Sequence, residues 1–315
     1  MGVIYIIMPI VGGLVLLYFG AEGLVRGSSR LALRSGLSPL TVGLTVVAFG
    51  TSSPELAVSL EAAIVGREAI ALGTVVGSNI ANLALILGVA AIIRPMVIQS
   101  KLVRLDLPIL ASCSAVLTLL LLDRGLGRLE GVVLVLGLVA YVALNIRNAR
   151  REHAHVKTEY AQALPRPKGS LWRDVVLVGV GLALLVVGGG VLINGAVAAA
   201  EMLGVTEALV GLTIVALATS LPELATSMLA AFRGEGDIAL GNLIGSNVFN
   251  ILGVLGPAAI IRPMQGTGLT ILDLGTMTLV AFLVLPLMRT GFRLNRVEGG
   301  ILAAVYGGYM YALLS

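Results

Sequence analysis

Apolar residues dominate the chain in long blocks, and short polar clusters separate them. The blocks run roughly over 3–25, 37–65, 70–93, 105–122, 129–147, 172–200, 205–232, 238–261, 269–288 and 297–314. Each is close to the ~20 residues that an α-helix needs to cross a bilayer. The pattern predicts an all-α polytopic membrane protein with ten transmembrane helices. The main polar connection is 148–171, which holds Arg150, Arg151, Lys157, Arg166, Lys168, two prolines, and His153 with His155. It reads as a solvated linker between a first half, 1–147, and a second half, 172–315.

The halves repeat one another. A shift of 168 residues, without a gap, aligns Gly43–Met96 with Gly211–Met264, and 32 of the 54 positions are identical. Gly-Ser-Asn recurs at 77–79 and 245–247, and Ile-Ile-Arg-Pro-Met at 92–96 and 260–264. Five helices is an odd number, so the second half must cross the membrane upside down relative to the first. Inverted five-helix repeats point to a secondary transporter with its site near the midplane.

Composition agrees. Hydrophobic residues make up 57% of the chain, charged residues 12%, and mean hydropathy is +1.02. A soluble domain carries about a quarter charged residues. The single cysteine, Cys113, rules out an internal disulfide or a thiolate metal cluster. Lysine and arginine set the orientation. With both termini outside, 17 of the 21 basic residues fall in inner loops and four, Arg67, Arg124, Arg128 and Arg262, in outer ones. The 148–171 loop is then cytoplasmic, in a cell (inner) membrane.

The best-matched stretches are also polar. The first reads Val47-Ala48-Phe49-Gly50-Thr51-Ser52-Ser53-Pro54-Glu55-Leu56 and the second Val215-Ala216-Leu217-Ala218-Thr219-Ser220-Leu221-Pro222-Glu223-Leu224. Proline lacks an N–H and clashes with the carbonyl four residues back. Helices 2 and 7 should therefore be proline-broken, with carbonyls freed around Ala48–Thr51 and Ala216–Thr219. Such carbonyls survive in a membrane only where they are buried in protein or line a cavity. Helical spacing puts Thr51, Ser52 and Glu55 on one face. A mid-span glutamate costs ~2.5–3.5 kcal/mol on insertion scales and defaults to function. The next spans add Ser78 with Asn82, and Ser246 with Asn250. Gly73, Gly77, Gly241 and Gly245 should let backbones approach closely.

Glu55, Glu223, Thr51, Thr219, Ser52, Ser220, Ser78, Ser246, Asn82 and Asn250 form an all-oxygen set. It suits hard cations such as Na⁺, Ca²⁺ or Mg²⁺ rather than zinc or copper. Glu61, whose mate is Leu229, is expected near the outer interface, and Asp106 and Asp273 are expected to be interfacial. A passive channel would conduct without a counter-ion, against which the duplicated, broken helices argue. A hydrolase would need a buried base, and both histidines lie in a loop, so no enzyme activity is expected.

These residues resemble the cation/calcium antiporter superfamily, and within it prokaryotic sodium/calcium exchangers. The resemblance rests on Gly-Thr-Ser-Ser-Pro-Glu at 50–55 with Gly-Ser-Asn-Ile-Ala-Asn at 77–82, and on Ala-Thr-Ser-Leu-Pro-Glu at 218–223 with Gly-Ser-Asn-Val-Phe-Asn at 245–250. It implies an electrogenic Na⁺/Ca²⁺ antiporter that works by alternating access and extrudes Ca²⁺. Glu55 and Glu223 would be shared by both ions, and the carbonyls of Thr51 and Thr219 would help hold Ca²⁺. Carbonyls of Ala48 and Ala216, with Thr51, Ser52, Ser78, Thr219, Ser220 and Ser246, would build flanking Na⁺ sites. Asn82 and Asn250 would line the middle, and spans 1 and 6 would slide across the core.

Asn250 stands where some relatives carry aspartate, so no K⁺ requirement is expected. Leu56 and Leu224 follow the glutamates where proton-driven relatives carry histidine, which counts against H⁺ coupling. An H⁺/Ca²⁺ or Mg²⁺ antiporter is the alternative. The resemblance implies no cofactor, no nucleic acid, no obligatory protein partner and a monomer in the lipid bilayer. The short linker implies no calcium-sensing domain.

Overall fold

The computed structural model describes residues 2–35, 37–123, 125–160, 170–202, 219–265 and 268–314. Its helices are α1 (Gly2–Ser35), α2 (Pro39–Thr51), α3 (Ser53–Val65), α4 (Glu68–Ile93), α5 (Leu102–Asp123), α6 (Arg128–Tyr160), α7 (Leu171–Met202), α8 (Leu221–Arg233), α9 (Gly236–Ile261), α10 (Ile271–Arg289) and α11 (Arg296–Leu314). Seven of these are long and apolar enough to cross a membrane. With the broken pair α2–α3, helix α8 and α11 beside them, the described residues are consistent with the expected ten passes. Helix α6 runs on to Tyr160, so the expected linker begins as a helical extension. Residues 161–169 of that linker lie outside the described residues.

The prolines act as the sequence predicts. Ser52, with φ −82° and ψ 7°, interrupts the helix between α2 and α3, and Pro54 opens the first turn of α3. Ser220 repeats this at φ −85° and ψ 5°, with Pro222 opening α8. The Ala48 carbonyl is not free, however. It accepts Ser52 N–H at 3.0 Å and the Thr51 hydroxyl at 3.4 Å, because the residue four on from Ala48 is Ser52, which keeps its N–H, whereas Pro54 removes the donor to Gly50.

Contacts between the halves show the pseudo-two-fold axis. Met96 pairs with Leu294 in a two-residue antiparallel ladder of β1 (Met96–Val97) and β2 (Arg293–Leu294). Leu126 pairs with Met264 in an isolated bridge. Each residue of one pair sits 168 positions from a residue of the other, and the pairs lie on opposite faces. One face bears the 148–171 linker and the other bears the termini.

Buried side chains concentrate on α4 and α9. The most apolar 18-residue windows of these helices are 72% and 83% buried, against 22% for α1 and 28% for α7. The core is therefore α2–α3, α4, α8 and α9. Gly241 and Gly245 bring α9 onto α2, where an added Cβ would stand 2.7 Å from the carbonyls of Leu40 and Leu44 respectively. Gly73 and Gly77 have no described neighbour in that position. The counterpart of α2 in the sequence is 207–219, of which only Thr219 is among the described residues.

Helices α1 and α7 lie antiparallel along a seam of glycines. Gly13, Gly20 and Gly27 recur every seven residues, as do Gly181, Gly188 and Gly195. An added Cβ at Gly20 would stand 2.9 Å from the Gly181 carbonyl, and one at Gly188 would stand 3.1 Å from that of Gly13. At the linker face Arg34 Nε donates to Asp174 Oδ2 at 2.5 Å, and Glu22 of α1 pairs with Arg233 of α8.

Asp106 lies near the start of α5 and is fully buried, and Oδ1 accepts the Tyr141 hydroxyl and Asn145 Nδ2, both at 3.1 Å. Asp273 is 7% exposed and accepts the Tyr309 hydroxyl at 2.7 Å, while its other oxygen closes a capping box with Thr270. Tyr141 and Tyr309 are again 168 apart. Hydropathy counts a residue's distance from a span end but not the neighbours it meets, and here the neighbours bury it. Glu61 is exposed, as expected.

Candidate cation site

The two broken helices bring the two polar patches to the centre of the core. Glu55, Glu223, Thr51, Ser52, Ser78, Ser220, Ser246, Asn82 and Asn250 are all at most 2% exposed, and Ala48 is buried beside them. Thr219 is half-buried, and Ala216 lies outside the described residues.

The pairing is crossed. Ser52 Oγ donates to Glu223 Oε1 at 3.1 Å, and Ser246 Oγ donates to the same oxygen at 3.3 Å. Thr219 and Ser220 lie beside the Glu55 carboxylate, although neither Glu55 oxygen accepts a hydrogen bond of good geometry. Each carboxylate thus faces the Thr-Ser pair of the other repeat. Helical spacing had grouped Ser52 with Glu55; the interruption at Ser52 turns its hydroxyl to the opposite repeat instead.

Asn82 and Asn250 both sit in π-helical turns, within Ala81–Ile86 and Asn250–Val254. Wide turns of this kind recur at functional sites. Asn250 Nδ2 donates to Ser78 Oγ at 3.0 Å and to Asn79 Oδ1 at 3.1 Å. This leaves its Oδ1 open, and among the described residues neither polar atom of the Asn82 amide has a partner.

Asn242 is a buried polar residue that the sequence pattern did not single out. Its Oδ1 accepts the Thr51 hydroxyl at 2.9 Å, and its Nδ2 donates to Ser227 Oγ at 3.0 Å. Its signal was there: Asn242, Ser246 and Asn250 follow at i, i+4 and i+8, as do Thr74, Ser78 and Asn82. The mate of Asn242 is a threonine, so counting identities passed over it.

Buried polar atoms are normally hydrogen-bonded. Among the described residues six oxygens here are buried without a hydrogen-bond partner: both of Glu55, Oε2 of Glu223, Oγ of Ser220, and Oδ1 of Asn82 and of Asn250. The two carboxylates are also close enough for Glu55 to bear the repulsion of Glu223. Two like charges and bare oxygens inside a membrane call for a cation. Hard cations take such ligands, and among the described residues no group of three or more His, Cys, Asp or Glu competes for a softer metal.

A helical membrane protein with inverted repeats, helices broken at the midplane and an oxygen-lined centre is a secondary cation transporter. The profile of the sodium/calcium exchanger protein family matches residues 5–147 and 174–315, one stretch in each half. The chain belongs to the sodium/calcium exchanger family.

Similar proteins include the inner membrane protein YrbG of Escherichia coli, 38% identical over 80% of this chain and 78% of that protein. The sodium/calcium exchanger MaX1 of Methanosarcina acetivorans is 31% identical over 96% of both. Among solved structures, the sodium-calcium exchanger NCX_Mj superposes with a TM-score of 0.86 at 28% identity, covering 99% of this chain and 100% of its own.

Proposed function

We propose that the protein couples Na⁺ influx to Ca²⁺ extrusion across a prokaryotic inner membrane, with several Na⁺ moved per Ca²⁺. The six partnerless buried oxygens carry this reading. Ca²⁺ takes six to eight oxygens, and the two carboxylates match its charge. Glu55, Glu223, Ser220, Asn82 and Asn250 supply those oxygens. Ser52 and Ser246 orient Glu223. The carbonyls of Thr51 and Thr219 help hold Ca²⁺; Na⁺ takes the same carboxylates, with Thr51, Thr219, Ser52, Ser78, Ser220 and Ser246 and the carbonyls of Ala48 and Ala216.

Competition for one carboxylate pair couples the ions. A pair of bare carboxylates inside the membrane is costly, and a bound cation offsets the cost, so loaded states cross more readily than empty ones. Alternating access comes from α1 and α7 sliding over the core. Asn250 supports K⁺ independence, since its amide nitrogen is engaged with Ser78 and Asn79 and its oxygen is neutral. The 17-to-4 split of basic residues supports termini outside and the 148–171 loop in the cytoplasm. The protein acts without a cofactor and as a monomer.

The test is ⁴⁵Ca²⁺ uptake into Na⁺-loaded proteoliposomes diluted into Na⁺-free buffer, with K⁺-loaded and pH-jump controls. Uptake is expected only with the Na⁺ gradient. Glu55→Gln and Glu223→Gln should each abolish it while the protein still folds. Uptake driven by the pH jump alone would move the protein to H⁺ coupling, and uptake without any counter-ion would make it a channel.

A further inference from the structure

Arg94 and Arg262 belong to the Ile-Ile-Arg-Pro-Met segment that both repeats carry, and the cation site uses neither. Each follows the last residue of a helix, Ile93 of α4 or Ile261 of α9. Both are extended, with φ −140° and ψ 111° at Arg94 and φ −142° and ψ 120° at Arg262. The proline that follows enforces that conformation. It therefore sets the direction in which each side chain leaves.

Both side chains leave toward the other repeat. Arg94 Nη1 donates to the Phe232 carbonyl at 2.9 Å, in the last turn of α8. Its guanidinium lies over Gly234, whose φ of +81° ends that helix; an added Cβ there would meet Nη2 at 2.9 Å. Arg262 lies over Gly66 in the same way. Gly66 ends α3, also at φ +81°, and an added Cβ would meet Nη1 at 2.6 Å. A guanidinium at a helix C-terminus satisfies open carbonyls and complements the negative end of the helix dipole.

The two helices covered in this way carry the carboxylates. Glu55 lies in the first turn of α3 and Glu223 in the first turn of α8, and each helix is 13 residues long. The helices that supply the arginines also supply Ser78 with Asn82, and Ser246 with Asn250. Each arginine thus ties a carboxylate helix of one repeat to a hydroxyl-and-amide helix of the other. The two ties lie on opposite faces.

We propose that Arg94 and Arg262 are positioning residues of the cation site. As a strut at each face, they set how far α8 and α3 reach into the centre, and so fix the approach of Glu223 and Glu55 to the oxygens of the opposite repeat. This rests on Glu55 and Glu223 holding the cation.

The experiment measures the Ca²⁺ concentration dependence of Na⁺-driven ⁴⁵Ca²⁺ uptake for Arg94→Ala, Arg94→Lys, Arg262→Ala and Arg262→Lys, with Glu55→Gln alongside. Each alanine variant should raise KM for Ca²⁺ on the order of fivefold, in line with loss of a helix-terminus charge interaction. Each lysine variant should recover part of that loss. KM does not depend on how much protein is folded, so a poorly folding variant still reports. A lower maximal rate with KM unchanged would overturn the proposal and leave the arginines as fold stabilisers. Glu55→Gln should be inactive. If it exchanges normally, the carboxylate assignment itself has failed; if it is dead while the arginine variants keep a wild-type KM, only the struts have failed.

Discussion

The Ser52 hydroxyl and the Glu223 carboxylate, 171 positions apart in the chain, are 3.1 Å apart at the centre of the core. The broken helix of one repeat therefore orients the charge of the other. A hydrogen bond to a charged group contributes ~1.5–3 kcal/mol. Ser52→Ala should raise KM for Ca²⁺ about tenfold or more. Concentration-dependent ⁴⁵Ca²⁺ uptake checks this. Ser53→Ala is the control, because Ser53 donates to the Phe49 carbonyl of α2 and does not touch the site.

Asn242 bridges Thr51 and Ser227 where the first repeat offers only Thr74. Asn242→Ala removes the Ser227 hydroxyl's partner and leaves Thr51 only its longer contacts with Ala48 and Ser246, at ~1–3 kcal/mol for an unsatisfied buried group. The expected outcome is a lower apparent Na⁺ affinity, read from the Na⁺ dependence of Ca²⁺ efflux. Asn242→Thr should fall between wild type and alanine.

The glycine seam makes a positional prediction. Gly20 faces the Gly181 backbone closely, whereas Gly12 has nothing within 4 Å of an added Cβ. Gly20→Leu should drive α1 and α7 apart and cut turnover about tenfold or more, since overpacking a tight contact costs ~1–3 kcal/mol. Gly12→Leu should exchange at the wild-type rate. Initial rates per reconstituted protein decide between them.

Asp106 and Asp273 are buried partners of tyrosines and lie outside the cation site. Tyr141→Phe and Tyr309→Phe should each lower stability by ~1–2 kcal/mol, seen as a lower Tm in detergent. KM for Ca²⁺ should not move. A shift in KM without a change in Tm would place these pairs in the transport path.

Much of this was legible in the sequence for one physical reason. Lipid offers no partner to the backbone, so each apolar block had to be a helix, and the matched mid-span glutamates Glu55 and Glu223 pointed to function. Pro54 and Pro222 marked the breaks. What escaped was three-dimensional. The spacing of Ser52 and Glu55 assumed an unbroken helix, and the break at Ser52 sent the hydroxyl across the axis. Asn242 had no identical mate. Hydropathy did not reveal that Tyr141 and Asn145 cover Asp106. The glycines at 13, 20 and 27 repeat at 181, 188 and 195, but they lie outside the stretch over which the halves were aligned.

The 168-residue shift has an energetic corollary. If every residue equalled its mate, turning the molecule over would exchange its two access states, and neither would be favoured in the absence of a gradient. Any resting preference must then come from positions where the halves differ. Asn242 against Thr74 is such a position inside the core, and Glu61 against Leu229 is another at its edge. The identical residues build the machine, and the unmatched ones decide which way it waits.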